Sequence, residues 1–80
     1  MRYSDVIWVA GRDGNIQHLA EHGVTPEEAQ EVLAEAIQNT RSRSSGRPLA
    51  IGYTAAGRKL VVVYEWIDAI TIYPITAYEV

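Results

Sequence analysis

The chain has no cysteine among its 80 residues. That excludes a disulfide framework and any thiolate metal site. No apolar run approaches the roughly 20 residues needed to span a bilayer, so no membrane partner is expected. The N-terminus lacks the basic, apolar and small-residue order of a signal peptide, and the expected compartment is the cytoplasm. Internal repeats at solenoid periods are absent. So are a phosphate-cradling glycine loop after a strand, a zinc-binding H-E-x-x-H helix and a nucleophile elbow. Glu65 and Asp68 are too few to define a catalytic carboxylate pair. His18 and His22 have a chelating i, i+4 spacing but no evident third ligand. Neither a metal nor a cofactor is therefore expected.

What remains is a single small domain, 48% hydrophobic, which argues against disorder. Aliphatics, two Trp and five Tyr must build its core. A chain this short buries a modest share of its surface, so its stability is expected to be marginal. The formal charge of −3 conceals a strong segregation. Arg41, Arg43, Arg47, Arg58 and Lys59 form a stretch without a single acid, whereas the preceding 40 residues hold seven acids against Arg2 and Arg12. Such a basic segment offers a polyanion one local foothold while the rest of the surface repels it, which makes RNA a candidate partner.

Asp5 to Ala10 reads as a short first strand, and Gly11 to Asn15 as a turn. A helix is expected from about Asn15 to Glu21, since Ile16, Leu19 and Ala20 share one face. Gly23 suits the left-handed residue that ends it. Thr25-Pro26-Glu27-Glu28 is a helix start, with Thr25 as cap, Pro26 in the first turn and Glu28 able to bond back. The stripe Ala29, Val32, Leu33, Ala36 and Ile37 then predicts a helix running to about Asn39 or Thr40. Thr40 to Pro48 reads as a mobile polar loop.

After Pro48 the period changes to two. Leu49, Ile51 and Tyr53 alternate with smaller residues, Ala55 to Arg58 forms a hairpin turn, and Leu60 to Trp66 reads as a central strand. Ile67-Asp68-Ala69 turns the chain into a last strand, Ile70 to Ala77, where Pro74 implies a bulge or unpaired position. The expected class is α+β: a short N-terminal strand and two helices on one face of an antiparallel β-meander, in the order β-α-α-β-β-β.

The basic residues Arg41, Arg43, Arg47 and Lys59, with Arg58, are candidate RNA phosphate contacts; the alternative is a solvated loop and turn. Arg47 and Arg58 bracket the first hairpin strand, which spans roughly 20 Å. His18 and Tyr78 are candidates for proton transfer. His22, beside Gly23, suits a helix cap. Sheet aromatics can stack bases, but Tyr64 and Trp66 are expected to pack in the core.

The run His22-Gly23-Val24-Thr25-Pro26-Glu27-Glu28-Ala29 with Val32-Leu33, the strand Gly57 to Tyr64, the ending Ile75-Thr76-Ala77 and the early Trp8 together resemble BrnT-type toxins of the RelE/ParE superfamily. The resemblance spans nearly the whole chain. It implies a RelE-like fold and a metal-independent RNA endonuclease silenced by a cognate antitoxin. It also implies a catalytic role for Arg58, which matches the hairpin Arg of that family. The chain departs from the family pattern at Gly14, at Tyr78 and at Glu65-Trp66, where cations are usual. Three readings stand: a nuclease toxin, a non-catalytic relative that binds RNA or protein, and an interaction domain that pairs through a strand edge, with a homodimer as one outcome.

Overall fold

The computed structural model describes residues 3–80. Its elements are β1 (Asp5–Val6), α1 (Asn15–Ala20), α2 (Pro26–Ala34), β2 (Gln38–Arg41), β3 (Pro48–Tyr53), β4 (Lys59–Trp66) and β5 (Thr71–Glu79). The class is α+β. Strands β2 to β5 form an antiparallel meander, and β1 adds to it in parallel beside β5, giving the order β1-β5-β4-β3-β2. The strand β4 is central, as its two apolar faces predict, and five consecutive residues of it are buried.

The two helices cover one face of this sheet. Leu19 from α1 and Val24, Ala29, Val32 and Leu33 from around α2 pack on Ala50, Leu60, Val62, Tyr64, Ile72 and Ala77. Tyr64 is buried, and that burial pushes its phenol above the usual range. Trp66 meets it edge-on with centroids 6.1 Å apart, yet remains 42% exposed, so the core packing expected of Trp66 is only partial.

Helix α2 starts as its sequence dictates. Thr25 Oγ1 accepts from the Glu28 N–H at 3.1 Å, and Glu28 Oε1 accepts from the Thr25 N–H at 3.0 Å. Two donors that the first turn would leave unpaired are thereby satisfied. The C-terminal end is shorter than the apolar stripe predicts: the helix stops at Ala34, and Ile37 is 65% exposed rather than buried. The residues beyond it form β2, which pairs with β3 from Gln38–Ile51 to Arg41–Pro48. Pairing along a sheet edge outweighs helical propensity here. Gly52 makes the transition possible, since a Cβ there would lie 3.3 Å from the Ala36 Cα. The supposed loop from Thr40 to Pro48 is correspondingly the end of β2 plus a tight turn closed by Ser42 N–H to Arg47 O at 2.8 Å. The observed order is therefore β-α-α-β-β-β-β.

The first strand is also shorter than expected, because Asn15 ties off the chain after it. Its side chain, 1% exposed, accepts from Val9 N–H at 2.8 Å and donates to Ile7 O at 2.8 Å and Pro74 O at 2.9 Å. Pro74 is followed by the anticipated irregularity: Val63 pairs with Thr76 but Tyr64 pairs with Pro74, leaving Ile75 as an extra residue in β5.

Replacing Asn15 by Ala strands one buried donor and two acceptors. The expected loss is about 3 kcal/mol in urea unfolding. A loss under about 1 kcal/mol would show that the three bonds do not anchor the β1 segment.

Candidate nucleic-acid interface

The turn between β3 and β4 holds Arg58 rigidly. Gly57 has φ +89°, Thr54 N–H donates to Arg58 O at 2.8 Å, and Arg58 N–H donates to Thr54 Oγ1 at 3.1 Å. The guanidinium then reaches back over the start of α2. Its Nη1 donates to Glu28 Oε2 at 2.6 Å and to Gly23 O at 3.1 Å; its Nη2 and Nε donate to Glu79 Oε1 at 3.2 and 3.3 Å. The hydrogen bonds to Glu28 and Glu79 hold Arg58 protonated above the usual range. Glu28 is held below its usual range, first by the Thr25 N–H and next by Arg58. One cation between two carboxylates is a net negative group. For Arg58 to take a phosphate, it must exchange these partners, and the displaced carboxylates would repel the incoming anion. In this arrangement Arg58 is a clasp joining the loop between α1 and α2, the start of α2 and the end of β5.

The other candidates divide between the two ends of the sheet. Arg41, Arg43 and Arg47 gather at the β2–β3 turn. Arg41 Nη1 donates to Gly46 O at 2.9 Å, and Arg47 Nε donates to Glu65 Oε1 at 3.1 Å in an exposed pair. Arg43 is exposed and makes no side-chain hydrogen bond or ion pair among the described residues. Arg58 and Lys59 stand at the far end of β3, roughly 20 Å away along the strand. Arg47 and Arg58 therefore stand at opposite ends of β3 and do not share one anion. His18 is exposed on α1, in the helical layer, whereas Tyr78 lies on β5. These two proton-transfer candidates are not brought together either.

The pleat does place Tyr78 and Lys59 on the same face of the sheet, the one that no helix covers, as diagonal neighbours. Lys59 lies opposite Tyr53, Val61 opposite both Ile51 and Tyr78, and Val63 opposite Leu49 and Thr76. Directly opposed residues on one face have Cβ atoms about 5 Å apart. Leu49, Val61 and Val63, with Ile51, form a second small apolar cluster here. Tyr53 and Tyr78 rise at its edge, 52% and 40% exposed, with Lys59 between their strands. Tyr53 was not among the residues that the sequence singles out for RNA contact. The alternation of Leu49, Ile51 and Tyr53 was the signal that it shares this open face.

Beside Tyr53, toward the helices, lies a groove of about 460 Å³ lined by Glu31, Ala34, Glu35, Tyr53, Thr54 and Ala55. Glu31 Oε1 accepts the Ala55 N–H at 3.3 Å. Two carboxylates and the carbonyl end of α2, whose last turn has no basic residue, make this groove unfit for phosphate and suited to a cation. Among the described residues no group of three or more His, Asp or Glu is placed to hold a metal ion. No helix among them is long and apolar enough to cross a membrane.

Comparison with known protein families, with curated proteins and with solved structures finds no match.

The clasp has a pH signature. Glu28 contributes its full stabilisation above the ordinary carboxylate value of 4.5 and loses it as the pH falls through its lowered folded value. Glu28→Gln is expected to flatten the acid limb of the urea-midpoint profile below the ordinary carboxylate value of 4.5. Thr25→Ala is expected to cost about 1 kcal/mol at neutral pH. An acid limb in Glu28→Gln as steep as in the wild type would remove Glu28 from the account.

Proposed function

We propose that this chain is an RNA-directed domain of the BrnT-like toxin class, with a RelE-like fold, acting in the cytoplasm and held inactive by a cognate antitoxin. The observation that carries this reading is the sheet face without a helix, which Tyr53, Lys59 and Tyr78 share with an apolar cluster. Aromatic rings beside a cation fit single-stranded RNA, whose bases stack while its phosphates seek positive charge. The residues that carry the family resemblance support it as well. His22 to Ala29 and Gly57 to Tyr64, distant in sequence, meet through the bonds of Arg58 to Gly23 and Glu28.

In this reading the reaction is metal-independent cleavage. The ribose 2′-oxygen attacks the adjacent phosphorus, the bond to the 5′-oxygen breaks, and a 2′,3′-cyclic phosphate is left. Lys59 neutralises charge building on the phosphate, and the Tyr78 hydroxyl donates its proton to the departing 5′-oxygen. The proton of the 2′-hydroxyl passes to solvent water.

A second reading is RNA binding without cleavage. It is favoured by one specific observation: Arg58, the cation that the resemblance makes catalytic, is bonded to two carboxylates.

The deciding experiment incubates the purified protein with single-stranded RNA in low salt and follows both binding and cleavage. Lys59→Ala, Tyr53→Ala and Tyr78→Ala are each expected to weaken binding about tenfold or more. Tyr78→Phe is expected to abolish cleavage while binding persists. Binding of the wild type without cleavage, together with no growth arrest on induction, selects the second reading. No RNA binding by the wild type would end both.

A further inference from the structure

The strand β2 is the outer edge of the sheet, and all four of its residues are exposed. Ser42 N–H bonds to Arg47 O, so main-chain groups at Ser42 and, by alternation, at Thr40 and Gln38 point into the sheet. Those of Asn39 and Arg41 point outward, where no main-chain partner exists among the described residues. The strand is also charged unevenly. Glu31, Glu35 and the acidic groove lie before its start; Arg41 and Arg43 lie at and just beyond its end. A strand negative at one end and positive at the other is complementary to itself when two copies run antiparallel.

We propose that this chain forms a twofold dimer by pairing β2 with β2 of a second copy. Centred on Asn39, the pairing sets Arg41 opposite Ile37 of the second copy and the Arg43 turn beside its Glu35. Arg43 enters the groove of the second copy between Glu31, Glu35 and Tyr53. That groove has room for a guanidinium and two carboxylates to neutralise it. Each copy gives one arginine and receives one. Main-chain bonds at Asn39 supply the register, and Ile37, 65% exposed in the monomer, is covered. Arg43, which has no ion-pair partner among the described residues, gains one. The basic segment thus serves assembly as well as any polyanion, and the inference stands apart from the RNA reading.

Sedimentation velocity from about 1 μM to about 1 mM tests it, a range that suits a small interface. The wild type is expected to associate to a dimer, more weakly as salt rises. Glu31→Lys with Glu35→Lys, in one variant, and Arg41→Glu with Arg43→Glu, in another, are each expected to weaken self-association about tenfold or more. An equimolar mixture of these two is expected to restore it as a heterodimer. Asn39→Pro removes an outward N–H without touching the bonds into the sheet, and is expected to give a folded monomer by circular dichroism. A wild type that stays monomeric throughout, a dimer indifferent to both charge reversals, or reversed partners that fail to associate overturns the proposal.

Discussion

One guanidinium ties together three segments that are far apart in the chain. Arg58 leaves a hairpin turn and bonds the carbonyl of Gly23, the carboxylate of Glu28 and the carboxylate of Glu79. These belong to the loop between the helices, the first turn of α2 and the end of β5. The side chains of Arg58 and Glu28 are 29% and 22% exposed, so water screens their pair only in part. Glu28 also closes the capping box of α2, which couples the placement of the helix to its formation. Losing either charge would unsettle both.

This constraint fixes what the molecule can offer a partner. With both helices packed against one face of the sheet, the opposite face carries no helix and holds the small cluster of Leu49, Val61 and Val63 with Ile51. Charge is then sorted by position. Lys59 lies with Tyr53 and Tyr78 at one end of that face, the arginines of the β2–β3 turn lie at the other, and acids surround the end of α2. A small domain with one core thereby keeps several chemically distinct surfaces apart.

Local chemistry was legible where a few adjacent residues decide the outcome. Thr25, Pro26 and Glu28 announce the start of α2, Gly23 takes its positive φ of 72°, and Pro74 marks the irregularity in β5. The alternating pattern of β4 identified it as central. Illegible were the features that depend on distant segments. Ala36 and Ile37 continue the helical stripe, and only the approach of Gly52 and the edge of β3 turns the following residues into a strand. Asn15 looked like the mere beginning of a helix, because its partners Ile7, Val9 and Pro74 are gathered by the fold. Of the candidate site, Lys59 and Tyr78 could be named but not their proximity. The carboxylates that occupy Arg58 lie 30 and 21 positions away, beyond the reach of any local pattern.

The extra residue in β5 determines which side chains the second half of that strand shows to solvent. Before it, Pro74 and Ile72 point toward the helices. Were the alternation unbroken, Thr76 and Tyr78 would follow them inward. The insertion of Ile75 resets the parity, so that small Ala77 fits beneath the helices and the Tyr78 ring turns out. Loss or gain of one residue at that point would exchange the inner and outer chemistry of the strand's final segment without a single substitution. Length, rather than composition, is therefore the variable that natural variation can least afford to alter there.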